Sequence, residues 1–171
     1  MQMIEQTVQH SISPVFNTDS KILILGSFPS VKSREQGFFY GHPQNRFWKV
    51  LSVALKENLP QTVQEKREFL LRNGIAVWDV IASCQITGSA DSSIHQVIPN
   101  DLSCIFSVAD IRAVFVNGKT AEKYFKKYQE PQMGRKAICL PSTSPANAAY
   151  SFEELLKEWE KILPFLKEEK I

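Results

Sequence analysis

Four short aliphatic runs recur along the chain: KILILG at residues 21–26, IAVWDVI at 75–81, RAVFVNG at 112–118 and KAICL at 136–140. They lack the strict alternation of a half-exposed strand, and runs of this length rich in β-branched residues fit strands covered on both faces. Helical patterns lie between them. Residues 44–55 put Phe47, Val50, Leu51 and Ala54 on one face, and residues 62–73 do the same with Val63, Phe69 and Leu70 before a C-capping Gly74. A further helix is expected over residues 121–128. The last begins at Ser151, with Glu154 as capping-box partner, and runs to about residue 167. Its stripe of Phe152, Leu155, Leu156, Trp159, Ile162, Leu163 and Leu166 is expected to pack on the sheet. Strands separated by helices require right-handed crossovers. The expected fold is therefore α/β, a three-layer α/β/α arrangement with a mostly parallel central sheet of about four strands. The length suits one domain over residues 1–171.

In such sheets ligands bind at the carboxyl ends of the strands, which singles out three loops. The first, residues 26–48, reads GSFPSVKSREQGFFYGHPQNRFW and gathers aromatic, basic and amide groups. A stretch this long without secondary structure of its own is more often functional than idle. Phe39 and Tyr40 suit either stacking on a flat heterocycle or plugging the space under the loop. His42 and Pro43 form a turn that delivers Asn45 to the start of a helix, as a cap or as an amide holding a water or a base edge. The second loop is the NGKTA turn at residues 117–121. Its amides suit an anion, but it lacks the spacing of a phosphate-binding P-loop, and Asn117 serves equally well as a turn tie or a ligand contact. The third, LPSTSPAN at residues 140–147, holds three hydroxyls between two prolines, which suits phosphate oxygens or simply a stiff turn.

Composition adds exclusions. No apolar stretch approaches the roughly 20 residues of a membrane helix, and the polar first ten residues do not resemble a signal sequence, so a cytoplasmic protein without membrane association is expected. Cys84, Cys104 and Cys139 are far apart, with three histidines in the whole chain. That inventory fits neither a four-thiolate cluster nor a structural zinc site, and the cysteines are expected as small buried hydrophobes. The net charge of +2 conceals a polarised chain. Residues 119–136 hold six basic residues against two glutamates, residues 30–50 four against one, and residues 153–169 six glutamates against three lysines.

GSFPS after the first run, then FYGHPQNRFW, then LPSTSPAN before a Trp-containing final helix resemble the uracil-DNA glycosylase superfamily, most closely its DNA-deoxyinosine (hypoxanthine-DNA) branch. WDVIASC, GSADSSI and VNGKTA resemble the same branch, so the likeness spans residues 22–159 in order. Mismatch-specific uracil and thymine glycosylases are similar at HPxNRFW but carry Asn in a GINPG-like first loop where this chain has Phe28. An aromatic ring cannot orient a water. The resemblance therefore implies Asn45 as the catalytic amide. The last loop also lacks the histidine of the uracil-specific branch, which counts against uracil excision.

The implied chemistry is hydrolysis of an N-glycosidic bond through an oxocarbenium-like sugar, needing a held water and stabilisation of the departing base. No lysine falls in a block assigned to catalysis, so the resemblance implies a monofunctional glycosylase that leaves an abasic site and uses neither metal nor cofactor. Its partner would be double- or single-stranded DNA containing a damaged base, hypoxanthine first, bound by a monomer. Ser27, Phe28, Phe39, Tyr40, His42 and Asn117 are the expected base pocket. Ser142, Thr143, Ser144 and Lys119 would contact DNA, and Ala146 or Asn147 would enter the gap left by the flipped base. The alternatives are a mismatch-specific uracil or thymine glycosylase and a non-catalytic nucleic-acid-binding domain on the same fold.

Overall fold

The computed structural model describes residues 4–167. In chain order the elements are β1 (Glu5–Gln9), β2 (Ile22–Gly26), α1 (Val31–Gln36), α2 (Phe47–Ala54), α3 (Val63–Arg72), β3 (Ile75–Asp79), β4 (Ile81–Thr87), β5 (His95–Pro99) and α4 (Ser103–Phe106). There follow β6 (Ala113–Asn117), α5 (Lys119–Tyr124), α6 (Glu130–Met133), β7 (Ala137–Leu140), α7 (Phe152–Trp159) and α8 (Leu163–Leu166).

The four aliphatic runs supply a parallel sheet of order β3-β2-β6-β7. Its alternating residues feed two cores. Ile22, Ile24, Ile75, Val77 and Phe115 face α2, α3 and α7 through Phe47, Leu51, Phe69, Leu155 and Trp159. Leu23, Leu25, Ala76, Val114 and Val116 face the other way, toward Ile105, Ala121 and Phe125. Both faces are covered, which is why the runs are continuously apolar, and each fully buried Ile or Leu contributes about 1.5–3 kcal/mol.

The second outer layer is not purely helical. It contains a three-stranded antiparallel sheet, β1-β4-β5, that the sequence reading did not anticipate. The IAVWDVI run is accordingly two strands rather than one: β3 ends at Asp79, and β4 begins at Ile81 in the other sheet. The kink at Val80 is held by backbone and amide groups. Val80 N–H donates to the Gly26 carbonyl, Asn100 Nδ2 donates to the Asp79 and Ile81 carbonyls, and Gln129 Nε2 to those of Val80 and Asn100. Gln129 reaches inward from a π-helical turn, Phe125–Gln129, that interrupts the helix expected over residues 121–128.

Other expectations shift in detail. Residues 26–48 contain a helix, α1, with Ser30 accepting from Ser33 N–H and Gly37 in the left-handed region at φ 72°. The Ser151–Glu154 capping box forms as expected. The final helix, however, passes through a 3-10 turn at Glu160–Ile162 before α8, where Pro164 has no N–H to continue the ladder. Of the cysteines, Cys84 is buried, Cys139 half-buried and Cys104 exposed, so burial fails for Cys104. Glu168 and Glu169 of the acidic tail lie outside the described residues. No helix among the described residues is long and apolar enough to cross a membrane.

The strand order locates the site. The chain leaves β2 for β3 on one side and leaves β6 for β7 on the other, so the crossovers diverge between the carboxyl ends of β2 and β6. Such a divergence opens a crevice at the strand ends.

Candidate active site

Gly26 ends β2 at this crevice. A Cβ there would come within 2.4 Å of Asp79 Oδ1 and 2.9 Å of the Tyr40 hydroxyl, so only glycine lets these two polar groups close on the strand end. Asp79 ends β3 beside it in register. Its Oδ2 lies 2.8 Å from His10 Nε2, while the Ile12 N–H donates to His10 Nδ1, leaving the ring proton on Nε2 to donate to the carboxylate. Both side chains are almost fully buried. Phe28, Phe39 and Trp78 pack around the His10 ring at centroid distances of 5.9–6.2 Å.

Ser27 follows. Its hydroxyl is 3.2 Å from each oxygen of Asp91, which sits on a 3-10 turn, Asp91–Ser93. That turn is fastened to the first loop, because Val31 N–H donates to Ser89 Oγ and the Arg34 guanidinium to the Gly88 carbonyl. Asp91 is exposed as a residue, yet its carboxyl faces inward, and desolvation followed by the charge of Asp79 raises its pKa above the ordinary value. Ser27 and Thr120 hydrogen bonds oppose that shift.

The aromatic pair divides. Phe39 is 2% exposed and belongs to the core, so it is the plug under the loop rather than a bare stacking platform. Tyr40 has φ 51°, an unusual backbone for a non-glycine residue, held by the Trp48 indole N–H donating to the Phe39 and Tyr40 carbonyls. One face of its ring lies on Phe47 at 3.9 Å. Its hydroxyl is buried beside Asp79 and Asn117, and its proton has no acceptor among the described residues. Burial, then the charge of Asp79, pushes its pKa well above the ordinary value. Phe28 is 8% exposed, edge-on to His10, with the Arg34 guanidinium 5.7 Å above its ring.

The first and third loops are joined by Arg46. Its backbone N–H donates to the Thr143 carbonyl, and its guanidinium donates to the carbonyls of Tyr150 (2.7 Å) and Asn147 (2.9 Å). Asn117 and Thr143 exchange two hydrogen bonds of 3.0 Å. Thr143 is thus fully buried and ties the loop to β6, whereas Ser142 and Ser144 are half-buried. Gly118, at φ 95°, passes so close to Ser142 that a Cβ would meet it at 3.0 Å. Ser142 Oγ accepts from Ser144 N–H and Ser144 Oγ from Ala146 N–H, while Asn147 Nδ2 donates to the Ser142 carbonyl. The Trp159 indole N–H donates to the Pro141 carbonyl, anchoring the loop to α7.

Asn45 stands where these loops meet, one residue before Arg46. Its Oδ1 accepts from Phe47 N–H at 3.0 Å, so it caps the entry to α2, while its Nδ2 makes no hydrogen bond among the described residues. His42 Nδ1 accepts from Gln44 N–H and shapes the preceding turn. Lys119 is exposed at the start of α5.

Residues 13–167 match the family described as the uracil DNA glycosylase superfamily. The chain belongs to the uracil DNA glycosylase superfamily. It is 35% identical over 160 residues to a protein named hypoxanthine DNA glycosylase from Methanosarcina acetivorans, covering 91% of this chain and 98% of that one. A protein of the same name from Methanosarcina barkeri is 35% identical over 139 residues, 78% of this chain and 85% of its own. A solution NMR structure from Methanosarcina acetivorans, provisionally described as a uracil DNA glycosylase, matches with a TM-score of 0.79 at 32% identity, over 94% of this chain and 99% of that one.

Membership of this glycosylase superfamily makes DNA the substrate. The geometry around Gly26 and the third loop rests on four residues to which the sequence assigned no role. Arg46 lay inside a quoted block but its bracing role depends on carbonyls a hundred residues away. Asp79 carried a signal, a carboxylate inside an aliphatic run, and Asp91 lay in the small polar segment of residues 88–94. His10 carried none. Among the described residues no group of three or more His, Cys, Asp or Glu side chains is arranged to hold a metal ion.

Proposed function

We propose that this protein is a monofunctional DNA glycosylase that removes hypoxanthine from deoxyinosine in DNA. The observation that carries this reading is the junction of HPQNRFW with LPSTSPAN through Arg46 at the crevice between β2 and β6, which sets Asn45 beside the loop expected to meet DNA. The names of the two Methanosarcina relatives support hypoxanthine as the base. In the reaction the bond between C1′ and N9 breaks, and its electron pair leaves with the base, which takes up a proton. A water held by the Asn45 amide adds its oxygen to C1′ and loses a proton, giving the abasic sugar. A neutral amide suffices because the sugar already carries positive charge when water adds. The flipped base is extruded at a cost of a few kcal/mol, lowest for a mispaired base such as hypoxanthine. Ser142 and Ser144 contact flanking phosphates, and Ala146 or Asn147 occupies the gap.

The test is release of hypoxanthine from a single-lesion duplex, ranked against uracil and xanthine. Asn45→Ala should lower release by about 10²–10³-fold with DNA affinity retained. Unchanged turnover in that variant would remove Asn45 from the mechanism.

A further inference from the structure

Two carboxylates sit where a polyanion must dock. Asp79 ends β3 and Asp91 lies on the 3-10 turn beside Ser27, near enough for the charge of Asp79 to raise the Asp91 pKa, and among the described residues no Lys or Arg pairs with either. Negative charge held away from water without a counter-ion is costly, and at a DNA-facing rim it also opposes phosphate binding. Asp79 spends one oxygen on His10. Asp91 accepts from the Ser27 hydroxyl, shared between its oxygens, and from Thr120, and a carboxylate with about four lone-pair sites keeps acceptor capacity beyond these two. Nearby, the Tyr40 hydroxyl is buried with its proton donated to nothing. The strand ends therefore hold an acceptor with capacity left and, buried beneath them, a donor without an acceptor.

Deamination changes a base in a matching way. Adenine presents a ring nitrogen acceptor beside an amino donor; hypoxanthine presents N1–H, a donor, beside the O6 acceptor. We propose that Asp91 accepts the N1–H of the flipped base while the Tyr40 hydroxyl donates to the adjacent carbonyl, making these two residues the reader of the lactam edge that distinguishes deaminated bases from adenine. This inference rests on the glycosylase function proposed above. With adenine in the same position the N1 lone pair would face the carboxylate, and a site built around buried polar groups rejects a mismatched edge strongly.

The test compares oligonucleotides carrying hypoxanthine or 1-methylhypoxanthine, in which a methyl group replaces the N1 hydrogen. The unaltered protein should release hypoxanthine about 100-fold faster than the methylated base. Asp91→Ala should release hypoxanthine more than 10-fold slower than the unaltered protein and discriminate between the two bases by less than about 3-fold. Asp91→Asn keeps the size and the Ser27 hydrogen bond but turns an amide donor toward N1–H, so it too should lose hypoxanthine release, and Tyr40→Phe should lose it in part. Equal release of both bases by the unaltered protein, or a full methyl penalty surviving in Asp91→Ala, overturns the inference and leaves the glycosylase function standing. No hypoxanthine release by the unaltered protein overturns that function and the inference together.

Discussion

Asp91 combines a solvent-facing turn with an inward carboxyl, and its raised pKa has a consequence for stability. A carboxyl that binds its proton more tightly in the folded state contributes stability at low pH. That contribution is lost as pH rises from its ordinary value of 3.8 through the higher folded value. Above that window the charged group opposes folding. Asp91→Asn keeps the contact to Ser27 without the charge, so its melting temperature should exceed that of the unaltered protein at pH 7, with the difference shrinking toward pH 4. Paired thermal melts across that range check it; a variant less stable at pH 7 would identify the carboxylate as a structural tie. With the expected gain in stability, activity and stability pull in opposite directions at this residue, as expected of a group retained for function.

At the level of elements, the third loop is irregular backbone whose shape is imposed from outside. Arg46 reaches it from the start of α2, Asn117 from the end of β6 and Trp159 from α7. Arg46→Ala should leave the fold intact, since both cores lie elsewhere, but raise amide exchange across residues 142–150 and lower base release by about 10-fold or more through misplacement of the loop. Arg46→Lys should not rescue it, because a single ammonium cannot bridge two carbonyls as the planar fork does. Elements with an apolar stripe or run were legible in the sequence, as α2 and β2 illustrate, although Val63 of the α3 stripe is exposed. Those without one were not. VKSREQ in α1 has no stripe, and the polar strand EQTVQ of β1 forms because β4 offers it an edge. The kink at Val80 was illegible for a related reason: the apolar run continues through it, and distant partners, Gly26, Asn100 and Gln129, hold the point where one sheet stops.

For the whole molecule, the basic excess counted along the chain is less available to DNA than its sum implies. Lys32 lies 3.6 Å from Glu35 and Lys126 3.6 Å from Glu122, Arg34 and Arg46 are committed to carbonyls, and Lys49 sits over the Phe152 ring. The segment after α5 also runs back toward the start of β7, carrying Lys126 and Lys127 away from the strand carboxyl ends. Lys119, exposed where α5 begins, stays at the crevice. Lys119→Ala should weaken DNA binding evenly across sequences and reduce the slope of log K against log salt by about 1, measured by anisotropy titrations at several salt concentrations. An unchanged slope would place Lys119 off the DNA.

By itself the sequence determined the parallel sheet, the helices that cover one face of it and the three loops at its carboxyl end, because burial on both faces and helical periodicity are written in the order of apolar residues. It also carried the blocks by which the superfamily is recognised. Tertiary structure alone decided the second sheet, the burial of Thr143 and Phe39, and the meeting of His10, Tyr40, Asp79 and Asp91 around Gly26. Each of these depends on partners distant in the chain, where a polar residue reads the same whether it faces water or lies desolvated at a strand end.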